Sequence, residues 1–344
     1  MNRRFLYMVA TNSRSCSYTL HRIKPSQLFY PKGAPDCEAA VVEECCLPTP
    51  TASFYPPQSR DGRGRMEFML FGSNRNKIVG TDQTGRSLLY DDGLRAIRTL
   101  PSLSAPKCRS VPLAIGDSLY VLEAIPMVNY EKQHQSFEAL KQPSELDVDD
   151  LFWHSLPPPP YVHAPDYGKD RSGLITACTL VSSSVIWIST ESLGTYCFDG
   201  ASSKWSKIGD WSLPFKGPAE YVPNYKLWFG VLAGEDGLLC TSDLTQQRPV
   251  VSNVFRGFAA PDGTKEIKSH LLHLGGGQFC VAKLFKTIRQ EMCDMSCCLY
   301  DTTTGMVVMF TGLEVQRCGT ELQVVKHKSF RYTMDGMDVP QLLY

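Results

Sequence analysis

The chain has 344 residues, 43% of them hydrophobic, which is enough to bury a sizeable core as one large all-β domain or two ordinary ones. Its 35 Lys and Arg balance 35 Asp and Glu. With no net charge, nucleic acid and an anionic membrane surface are not expected partners.

In chain order, Arg3 and Arg4 before an apolar run at 5–10 imitate a secretory signal, but the run is too short and no small-residue cleavage site follows. Residues 5–9 and 18–23 are read instead as a strand hairpin. Later apolar runs, at 185–188 and 306–310, have strand length and fall far below the roughly 18 residues that span a bilayer. The 13 cysteines are odd in number and scattered, so they read as free thiols in a cytosolic or nuclear chain. Residues 31–65, rich in Pro, Ala, Gly and charge, read as an irregular loop.

From residue 66 onward the sequence repeats. Tyr90-Asp91 is followed by Ile97, Phe198-Asp199 by Trp205 and Tyr300-Asp301 by Val307, with seven positions from aromatic to apolar residue each time. Turn formers fill the gaps, which predicts strand, turn, strand, with the Asp capping the turn through backbone amides. Ser242-Asp243, returning at Val250 and Val251, is a degraded copy. Upstream of these anchors, apolar stubs lead through short turns into apolar strands at 119–122, 185–188, 227–231 and 279–282, so each unit reads as a four-stranded meander.

Asp199 to Asp243 is 44 residues, Asp243 to Asp301 is 58 and Asp91 to Asp199 is 108. A period of about 50 is the kelch value, and the long gap then holds one unit without the anchor pair. The expected fold is all-β: a single closed β-propeller of about six kelch-like blades spanning 1–344. Five blade units occupy 66–315. Closing strands at 1–30 and 316–335 share the sixth blade, and 336–344 is a tail. Such units cannot bury their faces alone, which is why they close into rings.

The opening Met1-Asn2-Arg3-Arg4-Phe5-Leu6, the run from Lys77 to Asp91 and the segment from Trp205 to Trp211 resemble a family of plant proteins expanded in grasses such as rice, defined as a domain of unknown function. The resemblance covers nearly the whole chain. It implies a plant origin and a kelch-like propeller, and it supplies no activity, cofactor or catalytic residue.

Candidate sites meet simpler readings. Cys293, Cys297 and Cys298 with His270 and His273 are the densest set of metal-ligand residue types, but they lack the paired spacing of a structural zinc site, and no metal or other cofactor is expected. His154, Ser155 and His163 flank a proline run without a Gly-x-Ser-x-Gly elbow. Gly275-Gly276-Gly277 precedes a strand and lacks the Lys-Ser or Lys-Thr of a phosphate loop. Trp187 and Trp228 alternate within apolar strands and read as core. Trp153 and Trp211, at strand ends beside prolines, are the candidate anchors of a partner-binding rim.

The resulting expectation is a monomeric, non-catalytic protein-interaction module with an unidentified protein partner. An enzyme working at the channel mouth (hydrolase, oxidase or lyase) and a carbohydrate-binding lectin are the alternatives. An interaction module predicts an uncharged, aromatic, loop-rich rim, whereas an enzyme predicts His, Tyr, Asp or Glu side chains converging there.

Overall fold

The computed structural model describes residues 4–12, 15–31, 42–58, 64–107, 109–126, 135–142, 150–164, 167, 173–234, 237–256, 260–292, 299–319, 321–334 and 338–343. Among the described residues every long element is a strand, and the two helical pieces are single 3-10 turns. No helix among the described residues is long and apolar enough to cross a membrane.

The strands group into four-stranded antiparallel units. Unit I contains β1 (Leu6–Asn12) and β2 (Ser17–Ile23); β3 (Val42–Cys45) leaves it, and β4 (Ala52–Phe54) returns to it. Unit II is β5 (Met66–Phe71), β6 (Lys77–Asp82), β7 (Ser87–Asp91) and β8 (Ala96–Leu100). Unit III is β9 (Ser110–Ile115), β10 (Ser118–Glu123), β11 (Phe137–Lys141) and β12 (Phe152–Ser155). Unit IV is β13 (Ile175–Leu180), β14 (Val185–Thr190), β15 (Thr195–Asp199) and β16 (Lys204–Gly209). Unit V is β17 (Phe215–Val222), β18 (Leu227–Leu232), β19 (Leu239–Ser242) and β20 (Val251–Phe255). Unit VI is β21 (Thr264–Gly275), β22 (Gln278–Met292), β23 (Leu299–Cys318) and β24 (Glu321–Met334). The last strand, β25 (Gln341–Leu343), pairs with β1 and so completes unit I in the order β25-β1-β2-β4.

Burial follows position within a unit. Second strands such as β6 and β10 are buried along nearly their whole length, because both faces are covered, and residues 119–122 of β10 accordingly form an unbroken apolar run. Fourth strands β8, β12 and β16 are mostly exposed. Six apolar clusters lie between successive units. Tyr7, Leu20, Phe68 and Tyr90 join I to II; Phe71, Val79, Leu119 and Val121 join II to III; Tyr120, Phe137, Ile186 and Phe198 join III to IV. Ala177, Phe215 and Trp228 join IV to V, while Phe229, Val231, Phe279 and Val281 join V to VI. The sixth sets Leu6, Met8 and Leu342 of unit I against Leu272, Leu284, Val308 and Phe310 of unit VI, bringing the last unit back against the first. Two first strands also pair in parallel, β13 with β17, and Thr179 donates its hydroxyl to the Ala219 carbonyl at 2.7 Å.

The seam between units VI and I is fastened a second time from outside. After β2 the chain forms a 3-10 turn at Pro25–Leu28 that packs on β23, where the Leu28 carbonyl would lie 2.4 Å from any Cβ at position 312. Only glycine fits there. Next, β3 pairs in parallel with β24 as a fifth strand, supported by ion pairs Arg331–Glu44 and Lys328–Glu43. β4 then rejoins β2.

Three expectations are corrected. The segment 31–65 is not all loop, since it carries β3 and β4. The terminal strand shared with the N-terminus is β25, inside the segment read as a tail, while residues 322–332 belong to β24 and complete unit VI. Tyr300 and Asp301 do not open a hairpin: β23 runs unbroken from Leu299 to Cys318, because Thr302, Thr303 and Thr304, read as turn formers, are β-branched and continue the strand.

Candidate functional site: a channel between the first strands

First strands from all six units line one cavity of about 540 Å³. Glu67 comes from β5, Lys216 from β17, Lys268 and His270 from β21, and Gln341 from β25, while Arg109 stands at the start of β9. These residues lie toward the N-terminal ends of their strands, so the cavity is one mouth of a channel. Toward the C-terminal ends a second cavity, of about 480 Å³, is lined by Leu70, Leu113, Val181 and Tyr221.

The second mouth is bridged. Arg75, in the turn after β5, forms a 3.0 Å ion pair with Glu220 of β17, linking units II and V. Both side chains are about one-third exposed, so solvent screens the pair. Arg75→Ala is expected to change stability by less than about 1 kcal/mol in urea denaturation.

The first mouth is cationic. Glu67 is the only acid among its described lining residues. Its oxygens accept from the Arg109 amide at 2.8 Å, the Ser110 amide at 2.8 Å and the Ser110 hydroxyl. Lys268, Lys216 and Arg109 are exposed and, among the described residues, form no ion pair. Desolvation by the surrounding cavity wall pulls the Lys268 ammonium below the ordinary lysine value, and the Glu67 charge opposes that shift. Gln341 seals the wall, accepting from the Phe68 amide and donating to the Met66 carbonyl, each at 2.9 Å.

His270 sits in the same wall, buried, and burial with the nearby Lys268 charge lowers it from 6.5 to about 3. The folded protein therefore refuses a proton that the unfolded chain takes up. Stability is complete above pH 6.5 and falls as pH drops from there toward about 3. Urea unfolding followed against pH should show this slope, and His270→Gln should flatten it.

The anchor aspartates serve their turns. Asp91 accepts from the Gly93 amide at 2.9 Å and the Leu94 amide at 3.1 Å. Asp199 accepts from the Ala201 amide at 3.0 Å and the Ser202 hydroxyl at 2.6 Å, and Asp243 from the Thr245 amide at 2.9 Å. Those bonds hold the Asp199 and Asp243 carboxyls below their ordinary value. Tyr90 and Phe198 are buried between units.

Trp153 and Trp211 line neither mouth. Both are half-buried: Trp153 packs against the cluster between units II and III, and Trp211 lies 6.0 Å from the Trp187 ring. Trp228 is buried and donates to the Leu180 carbonyl at 3.0 Å. Cys293, Cys297 and Cys298 lie outside the described residues. His273 packs on Phe279, and among the described residues no three His, Cys, Asp or Glu side chains are placed to hold a metal. His154, Ser155 and His163 are exposed. Gly275, Gly276 and Gly277 all have positive φ and turn β21 into β22.

The cationic mouth was not visible in the sequence. Arg109, Lys216 and Lys268 stand 107 and 52 positions apart and carry no motif. Only the placement of first strands side by side assembles them.

A family model described as "Protein of unknown function (DUF1668)" matches residues 3–332. No curated protein matches. Among solved structures, the chain is similar to the Myceliophteria_thermophila Cps50 (Swd1) β-propeller domain, at 12% identity and a TM-score of 0.32 over 49% of each chain, thus spanning about half the length of that domain. It is also similar to the C-terminal WD40 domain of Sif2, at 10% identity and a TM-score of 0.42 over 98% of this chain and 89% of that one.

Proposed function

This chain belongs to the DUF1668 family, and from that premise we propose that it is a non-catalytic interaction module: a closed propeller of six kelch-like blades that presents its cationic channel mouth to a protein partner. Support for the ring comes from the six four-stranded units and the apolar cluster that sets unit VI against unit I. The observation that carries the functional reading is the convergence of all six first strands on one cavity whose charged side chains come from different units. Propeller architecture is compatible with many functions, so the site rather than the fold must decide among them.

The mouth has neither the uncharged aromatic rim expected of an interaction module nor a cluster of catalytic acids. It offers three cations and a carboxylate already engaged by backbone amides. An enzyme at this mouth would have to rest on Lys268, whose ammonium is held below its ordinary value. Affinity purification of the tagged chain from its native tissue tests the reading. A stoichiometric protein partner that is lost when the mouth is blocked by a bulky substitution at an exposed lining position, Val339→Trp, supports it. Recovery of the chain alone, or a partner indifferent to that change, overturns it.

A further inference from the structure

We propose that the channel mouth recognises an acidic peptide segment, with Lys268, Lys216 and Arg109 each taking a carboxylate. The inference rests on the reading of this mouth as the recognition site. Lys268 belongs to unit VI, Lys216 to unit V, and Arg109 stands at the start of unit III, so the three charges are spread around the opening rather than gathered at one point. Successive carboxylates along a chain can each meet a charge offered by a different unit.

The local electrostatics agree. Among the described lining residues the sole counter-charge is Glu67, and its oxygens already accept from the Arg109 amide, the Ser110 amide and the Ser110 hydroxyl. Val339, 42% exposed, offers an apolar surface in the same cavity, suited to the aliphatic stems of glutamates.

Charge-assisted hydrogen bonds are the stronger class, and each fully formed one is worth about tenfold in affinity or more. Calorimetric titration of the full chain with a hexaglutamate peptide, and separately with inorganic phosphate, tests the proposal. Hexaglutamate should bind with an affinity that falls steeply with added salt. Lys268→Met should weaken it about tenfold, and the triple variant with Lys216→Met and Arg109→Met should abolish measurable binding. Phosphate at equal concentration should neither bind nor compete. Hexaglutamate binding that is unchanged in the triple variant, or that phosphate displaces, overturns the proposal. A native partner retained by the triple variant but lost in Val339→Trp would overturn this inference while leaving the mouth as the recognition site.

Discussion

Deleting residues 338–344 is expected to abolish cooperative unfolding. The segment supplies β25, the first strand of unit I, whose Leu342 and Leu343 are buried. Leu342 belongs to the apolar cluster between units VI and I, and Leu343 to the one between I and II. Each leucine contributes about 1.5–3 kcal/mol by leaving water. The deletion also removes the pairing of Tyr7, Met8 and Val9 with β25 and both hydrogen bonds from the Gln341 side chain to β5. Together these losses approach the roughly 5–15 kcal/mol that holds a domain folded. Circular dichroism melts should show a broad, shallow transition in place of a sharp one. A melt within a few degrees of wild type would mean that unit I stands without its C-terminal strand.

The second large effect is expected at Lys107 and Glu138. Lys107, in the connection from β8 to β9, forms an ion pair with Glu138 of β11, and both side chains are essentially inaccessible, at 1% and 0%. Glu138 also accepts from the Ser104 amide at 3.0 Å, so one carboxylate pins the link between units II and III. Removing one partner of a buried pair leaves the other charge without compensation, at a cost of about 3–5 kcal/mol. Lys107→Met and Glu138→Gln should each lose that much in urea unfolding. The double variant should lose less than the sum, because it leaves no lone buried charge. Additive losses would show that the pair is not coupled.

The readability of this fold from sequence follows the range of the interactions involved. Asp91, Asp199 and Asp243 are legible because each caps a turn through amides two or three residues away. At Asp301 the same local pattern misleads: β22 offers a full-length partner to β23, and pairing across the extended hairpin overrides the local turn preference of Thr302–Gly305. β25 has only three residues after a proline, too few for any periodic signal, and its strand character comes from β1. β3 and β4 are similarly short and sit in a proline-bearing segment. Lysines and arginines in strands read as solvated positions. That is accurate for Lys216 and Lys268 taken singly; it misses that their solvent is a channel shared with Arg109.

Hydrogen–deuterium exchange at the two chain ends is the most direct test of a ring closed by its own termini. Amides of β1 and of residues 341–343 should exchange as slowly as those of β22 in unit VI, because they share one apolar cluster with it. Exchange of residues 341–343 at the rate of a free chain end, with β22 still protected, would contradict closure and with it the enclosed channel mouth.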